Sequence, residues 1–353
     1  MATSFSSLPI VDLTLLSSPQ GMSKEEQAGL ASQLFDVFAT TGFAYLVNYP
    51  LSFDHEALFR LAREFFAIPD EEKMKLAKKS FQKTNQNTYR GYFPTQPDLA
   101  TDNLKEGFEI GNPNRFPTSQ SSTPINPKPN NTSKLILSEP NAWPSPTFFH
   151  HRSSLEQLHN ELQSLSATIL SLLAISLGKE PNFFSPYLTD SLSTLRLLHY
   201  PPTTNPSPSP SPSSNSTTTP QDSVKLSCTP HTDSGILTLL HQDATGGLEV
   251  RDSAGNWVAA PYVPGSIVVN IGDLMAKVSG GRFVATMHRV RAPVKEEGKV
   301  FGRFSVPFFF EPGEDCVVRS VDGEADGVEG EGEVVYGDHV RAKMKTWVEF
   351  RDL

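Results

Sequence analysis

A histidine and an aspartate lie two residues apart at His231 and Asp233, directly before an apolar run with the character of a strand. Because side chains at i and i+2 of a strand point to the same face, the imidazole and the carboxylate are expected to converge while Thr232 points away. A third ligand is needed, and His288, on a later β-type segment, is the best placed of the remaining histidines. Two imidazoles and one carboxylate form the facial set that binds non-haem Fe(II) and leaves coordination positions open. The triplet alone is weak evidence, since a turn rich in Thr, Asp, Ser and Gly also produces it.

The elements that must position these residues follow from the apolar periodicity. Helices are predicted from the capping-box sequence at 23–26 to about residue 41, and then over 54–67, 153–177 and 338–350. Strands are predicted over 8–13, 43–47, 195–200, 236–240, 247–250, 257–259, 266–270, 282–290 and 302–310. This order predicts an α+β fold with a double-stranded β-helix (jelly roll) core, an α-helical N-terminal scaffold and a C-terminal helix.

Four regions are expected along the chain. Residues 1–120 form an N-terminal region of helices and strands, and residues 121–194 contain a connecting loop and the long scaffold helix. Residues 195–312 form the jelly-roll core, and residues 313–353 contain an acidic loop and the C-terminal helix. Within the core, residues 201–220 are rich in Ser and Pro and are predicted to be a disordered insertion, since they carry too little apolar area to offset the cost of ordering.

Composition narrows the class of protein. The formal net charge is −9 and the basic residues form no long run, which argues against nucleic-acid binding. No apolar stretch approaches the length of a membrane span, and the amino terminus lacks a signal-peptide pattern. The two cysteines, Cys228 and Cys316, cannot form a disulfide framework, which favours a reducing compartment. We therefore expect a cytoplasmic protein, a monomer or a weak homodimer, that acts on a small molecule.

A series of ordered motifs resembles the isopenicillin N synthase-like branch of the Fe(II)/2-oxoglutarate-dependent dioxygenases. The resemblance spans nearly the whole chain apart from the insertion over 201–220 and an acidic excursion over 313–333. Its core motifs are LRLLHYP at 195–201, HTDSGILTLLHQD at 231–243, GGLEV at 246–250, VNIGD at 269–273, HRV at 288–290 and RFS at 303–305. The amino-terminal motifs are LPIVDL at 8–13, TGF at 41–43 and RGY at 90–92.

The resemblance implies that His231, Asp233 and His288 are the Fe(II) ligands. It further implies that 2-oxoglutarate and O2 are co-substrates, with ascorbate as an accessory reductant. The implied reaction decarboxylates 2-oxoglutarate to succinate and CO2 and hydroxylates, desaturates or cyclises a small organic molecule. Asn270 and Asp273, in a sequence typical of a turn, are interpreted as structural.

The resemblance also implies a 2-oxoglutarate site. Arg303 and Ser305 match the R-x-S pair of the family, which holds the remote carboxylate of 2-oxoglutarate. A guanidinium fork suits such a carboxylate because it donates two parallel hydrogen bonds. Tyr200, before a proline on an earlier strand, is expected to donate its hydroxyl to the same carboxylate.

Substrate contacts are expected from the helical half, from the strand near RGY and from the carboxy-terminal part of the chain. The candidates are Tyr92, Phe108, Arg196, Ser234 and Phe310, for each of which packing or turn formation is an equal interpretation. Ser234 stands where relatives often carry a tyrosine that stacks on a planar ring. The expected substrate is therefore an apolar or polycyclic secondary metabolite.

Three other functions remain open at this point. An oxidase with the same iron ligands could act without 2-oxoglutarate and use Arg303 to hold a carboxylate-bearing substrate. A pyrimidine-type hydroxylase fits the motifs except at Ser234. A non-catalytic binding protein on the same fold is the third, although the intact set of ligand residues argues against it. Succinate release and Fe(II) binding separate these functions.

The adjacent His150 and His151 have no carboxylate at a ligand spacing and are not expected to bind metal.

Overall fold

A computed structural model describes residues 4–96, 104–114, 137, 139–203, 225–293, 302–322 and 333–345. The helices are α1 (Lys24–Thr40), α2 (His55–Phe66), α3 (Asp70–Met74), α4 (Arg152–Ser176), α5 (Asp273–Val278) and α6 (Tyr336–Met344). The strands are β1 (Ile10–Asp12), β2 (Phe43–Val47), β3 (Gly91–Phe93), β4 (Glu106–Ile110), β5 (Thr194–Tyr200), β6 (Leu226–His231), β7 (Leu237–Gln242), β8 (Leu248–Arg251), β9 (Trp257–Ala259), β10 (Ser266–Ile271), β11 (His288–Arg291), β12 (Arg303–Phe310), β13 (Val317–Val318) and β14 (Val334–Val335).

Two sheets form the core. The large sheet has the strand order β1-β2-β10-β7-β12-β5-β4-β3, and the small sheet has the order β6-β11-β8-β9. Helices α2 and α4 pack on one face of the large sheet, where they and the sheet share an apolar core. The predicted α+β jelly roll with its helical scaffold is confirmed, and strand neighbours distant in sequence are what such a fold requires.

Local sequence signals account for the scaffold helices. At the start of α1, the Ser23 backbone N–H donates to Glu26 and the Glu26 backbone N–H donates to the Ser23 hydroxyl, which is the predicted capping box. Asp54 caps α2 by accepting from the Ala57 backbone N–H at 2.7 Å. Helix α4 buries its leucine stripe against the sheet and ends before Gly178, whose φ of 74° suits a residue without a Cβ.

Alternation along the strands decides which residues can reach the interior of the jelly roll. Phe108 on β4 and Phe310 on β12 point towards the helices and belong to the main apolar core. Their sequence neighbours Glu109 and Phe309, together with Arg196 on β5, line a cavity on the opposite face. Because side chains along a strand alternate between the two faces of the sheet, one of two adjacent residues lies in the apolar core and the other faces the cavity.

The structure departs from the predicted elements in several places. The strand predicted over 282–290 is reduced to β11, because the preceding residues are held against the end of α1: the Val284 backbone N–H donates to the Phe38 carbonyl and the Thr286 hydroxyl donates to the Thr41 carbonyl. Helix α5 was not predicted, since only a turn was expected around Asp273. The predicted helix over 338–350 begins earlier, at Tyr336, and its residues after 345 lie outside the described part of the chain, as does most of the insertion predicted over 201–220.

Two buried histidines lie at the contact between helices and sheet. Burial lowers the pKa of His159, on α4, to about 4, and its Nε2 lies 3.1 Å from the Ser193 carbonyl oxygen. Burial also lowers the pKa of His241, on β7, to about 3, with His55 nearby lowering it further. Both side chains are therefore neutral at pH 7. Within the described ranges, none of the helices combines the length and apolar character needed to cross a lipid bilayer.

Candidate active site

His231, Asp233 and His288 converge on one point. Each offers a ligand atom, and the three atoms lie within 4.8 Å of one another. Asp233 Oδ1 lies 3.9 Å from His231 Nε2 and 3.7 Å from His288 Nε2, and the two imidazole ring centroids are 4.2 Å apart. Two imidazole nitrogens and one carboxylate oxygen at these separations fit the donor set and size of a non-haem Fe(II) site.

Strand pairing explains how residues so far apart in sequence meet. Strands β6 and β11 are antiparallel, and His231 is directly opposite His288 in their register. Strand β6 ends at His231, so Asp233 lies in the connection to β7 and not on a strand as expected. The prediction that Thr232 points away was wrong, since the chain turns after His231 and Thr232 lines the cavity with its neighbours.

Backbone carbonyls orient both imidazoles. His231 Nδ1 lies 2.8 Å from the Thr229 carbonyl oxygen, and His288 Nδ1 lies 3.1 Å from the Thr286 carbonyl oxygen. A carbonyl can only accept, so each Nδ1 carries the proton and each Nε2 presents its lone pair to the shared point. The ring of His288 is further held by an edge contact with Phe43, at a centroid distance of 5.2 Å.

Two side chains that the sequence interpretation did not assign to the site hold Asp233. Thr238 donates to Asp233 Oδ2 at 2.5 Å, and Asn270 Nδ2 donates to the same oxygen at 2.8 Å. Burial by itself raises the pKa of Asp233, but the two histidines and these two hydrogen bonds outweigh burial and lower it. Oδ2 is thus fixed while Oδ1 faces the histidines. Asn270, interpreted as a turn residue, is on β10 opposite Thr238, and only this cross-strand pairing reveals its role.

Arg303, Ser305 and Tyr200 meet on adjacent strands. Arg303 on β12 is directly opposite Tyr200 on β5, and its guanidinium carbon lies 4.7 Å from the Tyr200 ring centroid. Ser305, on the same face as Arg303, has its hydroxyl 3.4 Å from that of Tyr200. Gly302 allows this close approach, since its φ is 76° and a Cβ there would lie 2.1 Å from the Tyr200 carbonyl oxygen.

The guanidinium of Arg303 is only partly satisfied by the protein. The residue is 1% exposed, and its Nε donates to the Gly246 carbonyl oxygen at 2.7 Å. Its Nη1 and Nη2 are buried and have no hydrogen-bond partner among the described residues. Because a buried cation with unsatisfied donors is costly, two parallel donors in this position indicate an anion-binding site.

The cavity beside His231 and Asp233 has a volume of about 530 Å³. Of the predicted substrate residues, Arg196 and Ser234 line it. Tyr92, Phe108 and Phe310 do not: Tyr92 is buried and donates to Glu106 at 2.6 Å, and the two phenylalanines lie in the core on the helix side of the sheet. For the two phenylalanines the alternation of the strands is the reason, since the cavity takes the neighbouring positions Glu109 and Phe309.

Charged side chains contribute much of the cavity wall. The expected apolar or polycyclic substrate would instead call for a mainly apolar wall. Glu109 is paired with Lys78, at 2.6 Å, and with Arg196. Lys105 Nζ lies 3.2 Å from Cys228 Sγ, which in turn lies 3.7 Å from Nδ1 of His231. Cys228, interpreted as a small buried apolar residue, therefore lines the cavity between Lys105 and His231.

A second group of possible metal ligands lies outside the cavity. His151 Nε2 is 2.6 Å from Glu64 Oε2, and His150 completes a set within 4.8 Å. The expectation that these histidines have no carboxylate partner was wrong, because Glu64 comes from α2, far away in sequence. Glu64 is also 4.0 Å from Arg60 Nε and its side chain is 42% exposed, so the pairing is that of a solvated surface cluster.

Comparisons with known proteins agree with this geometry. The 2OG-Fe(II) oxygenase superfamily matches residues 192–312, and the non-haem dioxygenase in morphine synthesis N-terminal family matches residues 8–146. Homoarginine-6-hydroxylase of Arabidopsis thaliana is 30% identical over 361 residues, which cover 98% of this chain and 99% of the relative. A 2-oxoglutarate-dependent dioxygenase of Didymella fabae is 31% identical over 332 residues, covering 91% of this chain and 90% of the relative.

Solved structures give the same result. A full-length Neurospora crassa protein, crystallised in complex with alpha-KG and 5-formyluracil, has a TM-score of 0.73 with this chain at 25% sequence identity, covering 96% of each chain. Both halves of the chain and their arrangement are therefore those of one family. The chain belongs to the Fe(II)- and 2-oxoglutarate-dependent dioxygenases, oxidoreductases that oxidise a small organic molecule with release of succinate and CO2.

Proposed function

We propose that His231, Asp233 and His288 hold the Fe(II) of this dioxygenase. Support comes from the three convergent ligand atoms, the carbonyls that fix both Nδ1 protons, and the position of His231 and Asp233 in the wall of a 530 Å³ cavity. A cavity of this size suits one small organic molecule, and we infer a natural product. The Glu64 cluster does not line this cavity and is not assigned to the catalytic metal.

We further propose that Arg303 holds the remote carboxylate of 2-oxoglutarate, with Ser305 and Tyr200 donating hydroxyls to it. The observation that carries this assignment is the buried guanidinium whose Nη1 and Nη2 lack partners among the described residues. A carboxylate there would receive two parallel charge-assisted hydrogen bonds, each worth roughly 1.5–3 kcal/mol.

When bound, Fe(II) would supply, with O2 as the oxidant, the chemistry of oxidative decarboxylation of 2-oxoglutarate and oxidation of an unactivated C–H bond. The protein residues do the rest. Asp233 remains ionised because its hydrogen bonds and the histidines lower its pKa. The two terminal guanidinium nitrogens of Arg303 align 2-oxoglutarate. The buried apolar residues around Tyr200 keep water away from the remote carboxylate of 2-oxoglutarate.

The test is an anaerobic titration of the purified protein, first with Fe(II) and then with 2-oxoglutarate, monitored by the weak visible charge-transfer band. His231→Ala is expected to abolish tight Fe(II) binding and substrate-dependent succinate release, whereas His151→Ala leaves both unchanged. The two variants remove the same side chain from the two candidate clusters. Loss of Fe(II) affinity in His151→Ala but not in His231→Ala would assign the metal to the Glu64 cluster. Iron binding without the band would favour an oxidase that acts without 2-oxoglutarate.

We also propose that the protein is a cytoplasmic monomer or weak homodimer with the four regions predicted from its sequence. Both cysteines, Cys228 and Cys316, are free thiols, which supports a reducing compartment. Sedimentation velocity at several protein concentrations tests the oligomeric state, and a dimer that persists on dilution to nanomolar concentration would contradict it.

A further inference from the structure

We propose that His339 on α6 is a positioning residue for the metal site, because it holds the segment of chain that carries Asp233. That segment is the connection between β6 and β7, residues 232–236, called the ligand connection below. The inference rests on the proposed function, since it requires Asp233 to be a metal ligand. It is carried by the hydrogen bonds that reach the ligand connection from two helices.

The ligand connection lies between two strand ladders. Strand β6 ends at His231 and β7 begins at Leu237, so the backbone that carries Asp233 belongs to neither strand. Backbone carbonyls outside a ladder need donors from other elements, because a buried carbonyl without a partner is costly. The position of Asp233 therefore depends on the elements that supply these donors.

Helix α5 supplies two of the donors. The Asp273 backbone N–H donates to the Asp233 carbonyl at 2.7 Å, and the Leu274 backbone N–H donates to the Gly235 carbonyl at 3.1 Å. Both donors lie in the first turn of α5, where backbone N–H groups have no acceptor within the helix. The carbonyls on either side of Ser234 are thereby held by one helix end.

His339 supplies the donor for the carbonyl between them. Its Nε2 lies 3.3 Å from the Ser234 carbonyl oxygen. Because a carbonyl only accepts, Nε2 carries the proton and donates it. Burial lowers the pKa of His339, so the ring is neutral at pH 7. A neutral replacement of His339 therefore removes a hydrogen bond without changing the charge near the metal ligands.

Helix α6 is itself firmly attached, so His339 is a fixed support. Tyr336 and Val340 are fully or almost fully buried in the main apolar core. Lys343, one turn after His339, donates to the Asp273 carboxylate at 3.1 Å. Helix α6 thus contacts both the ligand connection and the helix end that holds it.

The support from α6 complements the hydrogen bonds to the Asp233 side chain. Thr238 and Asn270 hold Oδ2 of that carboxylate, whereas His339 acts on the backbone one residue further along. His339 does not line the cavity, so its role is not contact with a substrate. Loss of its donor should let the ligand connection move and should weaken metal binding in the absence of any substrate.

The experiment is an anaerobic competition between the full-length protein and a chelator for Fe(II), without 2-oxoglutarate or substrate. His339→Leu removes the donor and keeps a side chain that can pack. We expect it to raise the Kd for Fe(II) roughly three- to tenfold, as the loss of one neutral hydrogen bond implies. His339→Gln, whose amide nitrogen reaches about as far as Nε2, should bring the Kd back to within about twofold of the wild type.

Val340→Ala is the control for a role in packing alone. Val340 is 2% exposed, and its truncation loosens the packing of α6 while leaving the His339 donor in place. We expect Val340→Ala to lower the Tm of the metal-free protein more than His339→Leu does, and to leave the Kd for Fe(II) unchanged. His339→Ala repeats the removal of the donor and gives the same comparison if the leucine does not pack.

A Kd for Fe(II) that stays at the wild-type value in both His339→Leu and His339→Ala would overturn the inference. An equal rise of the Kd in His339→Gln or in Val340→Ala would also overturn it, because the effect would then not follow the donor. His231→Ala separates this failure from failure of the proposed function. If His231→Ala loses Fe(II) while the His339 variants keep it, only the inference is wrong; if His231→Ala keeps Fe(II), the proposed metal site is wrong and the inference fails with it.

Discussion

Replacing Arg303 by methionine should make the protein more stable in the absence of ligand and should remove its response to 2-oxoglutarate. Arg303 is 1% exposed, and its Nη1 and Nη2 lack partners among the described residues. Each buried unsatisfied donor costs roughly 1–3 kcal/mol, whereas the lost hydrogen bond to Gly246 is worth about 1 kcal/mol. Methionine has a similar reach and no donors. We expect the free energy of unfolding of the ligand-free protein to rise by roughly 1–5 kcal/mol.

The same substitution should weaken 2-oxoglutarate binding. Two charge-assisted hydrogen bonds of roughly 1.5–3 kcal/mol each correspond to a Kd increase of about a hundredfold to ten-thousandfold. At a 2-oxoglutarate concentration of about 100 times the wild-type Kd, the wild type gains about 2.7 kcal/mol, which raises its Tm by about 4 °C. The variant should gain less than about 1 °C under the same conditions.

Thermal denaturation with Mn(II) in place of Fe(II), with and without 2-oxoglutarate, measures both effects. Arg289→Met is the matched control, because Arg289 is also a buried arginine on a strand but donates to Glu249 at 2.7 Å. It should lower the free energy of unfolding by about 2 kcal/mol or more, since it removes the nearer of the two arginines that pair with the buried Glu249 carboxylate, and should leave the 2-oxoglutarate shift intact. The reasoning is refuted if Arg303→Met destabilises the ligand-free protein and retains the shift.

Three further predictions test the site and the scaffold. Asn270→Ala should raise the Kd for Fe(II) roughly ten- to a hundredfold by freeing Asp233, as measured by competition with a chelator; an unchanged Kd would contradict the positioning role. Phe310→Ala should cost about 3–5 kcal/mol of unfolding free energy in urea melts and Phe309→Ala clearly less, whereas equal losses would contradict the assigned faces. The two buried histidines have pKa values of about 4 and about 3, below the ordinary 6.5, so the unfolded chain takes up protons first as the pH falls. The free energy of unfolding should therefore drop by about 4 kcal/mol from pH 7 to pH 5. Equal urea midpoints at the two pH values would show that these histidines do not control the pH dependence of stability.

Much of the scaffold was predictable because its signals are local. The capping box at Ser23 and Glu26 uses four consecutive residues, and the leucine stripe of α4 repeats within one helix. Such interactions form among neighbours in sequence, so the pattern of residue types is sufficient to predict them. The donor types of the proposed metal centre follow from the sequence for a related reason, since only imidazoles and a carboxylate at these positions matched a known coordination set.

The supports of the site depended on pairings across the sheets. Asn270 has the sequence of a turn, and only the register of β10 with β7 brings it to Asp233 beside Thr238. Glu64 reaches His151 because α2 packs near the start of α4. No local pattern encodes these contacts, since each joins segments whose relative position is set by the whole fold.

The sequence by itself determined the classes of element, the metal-binding donor types and the family motifs of this protein. Tertiary structure decided which face of each strand meets the cavity, and so why Phe309 lines it while Phe310 lies in the core. It also brought Lys105, Cys228 and Arg196 into one cavity wall. The physical reason is that period-two alternation fixes which residues share a face, whereas the packing of helices against one side of the sheet fixes which face becomes the interior of the jelly roll.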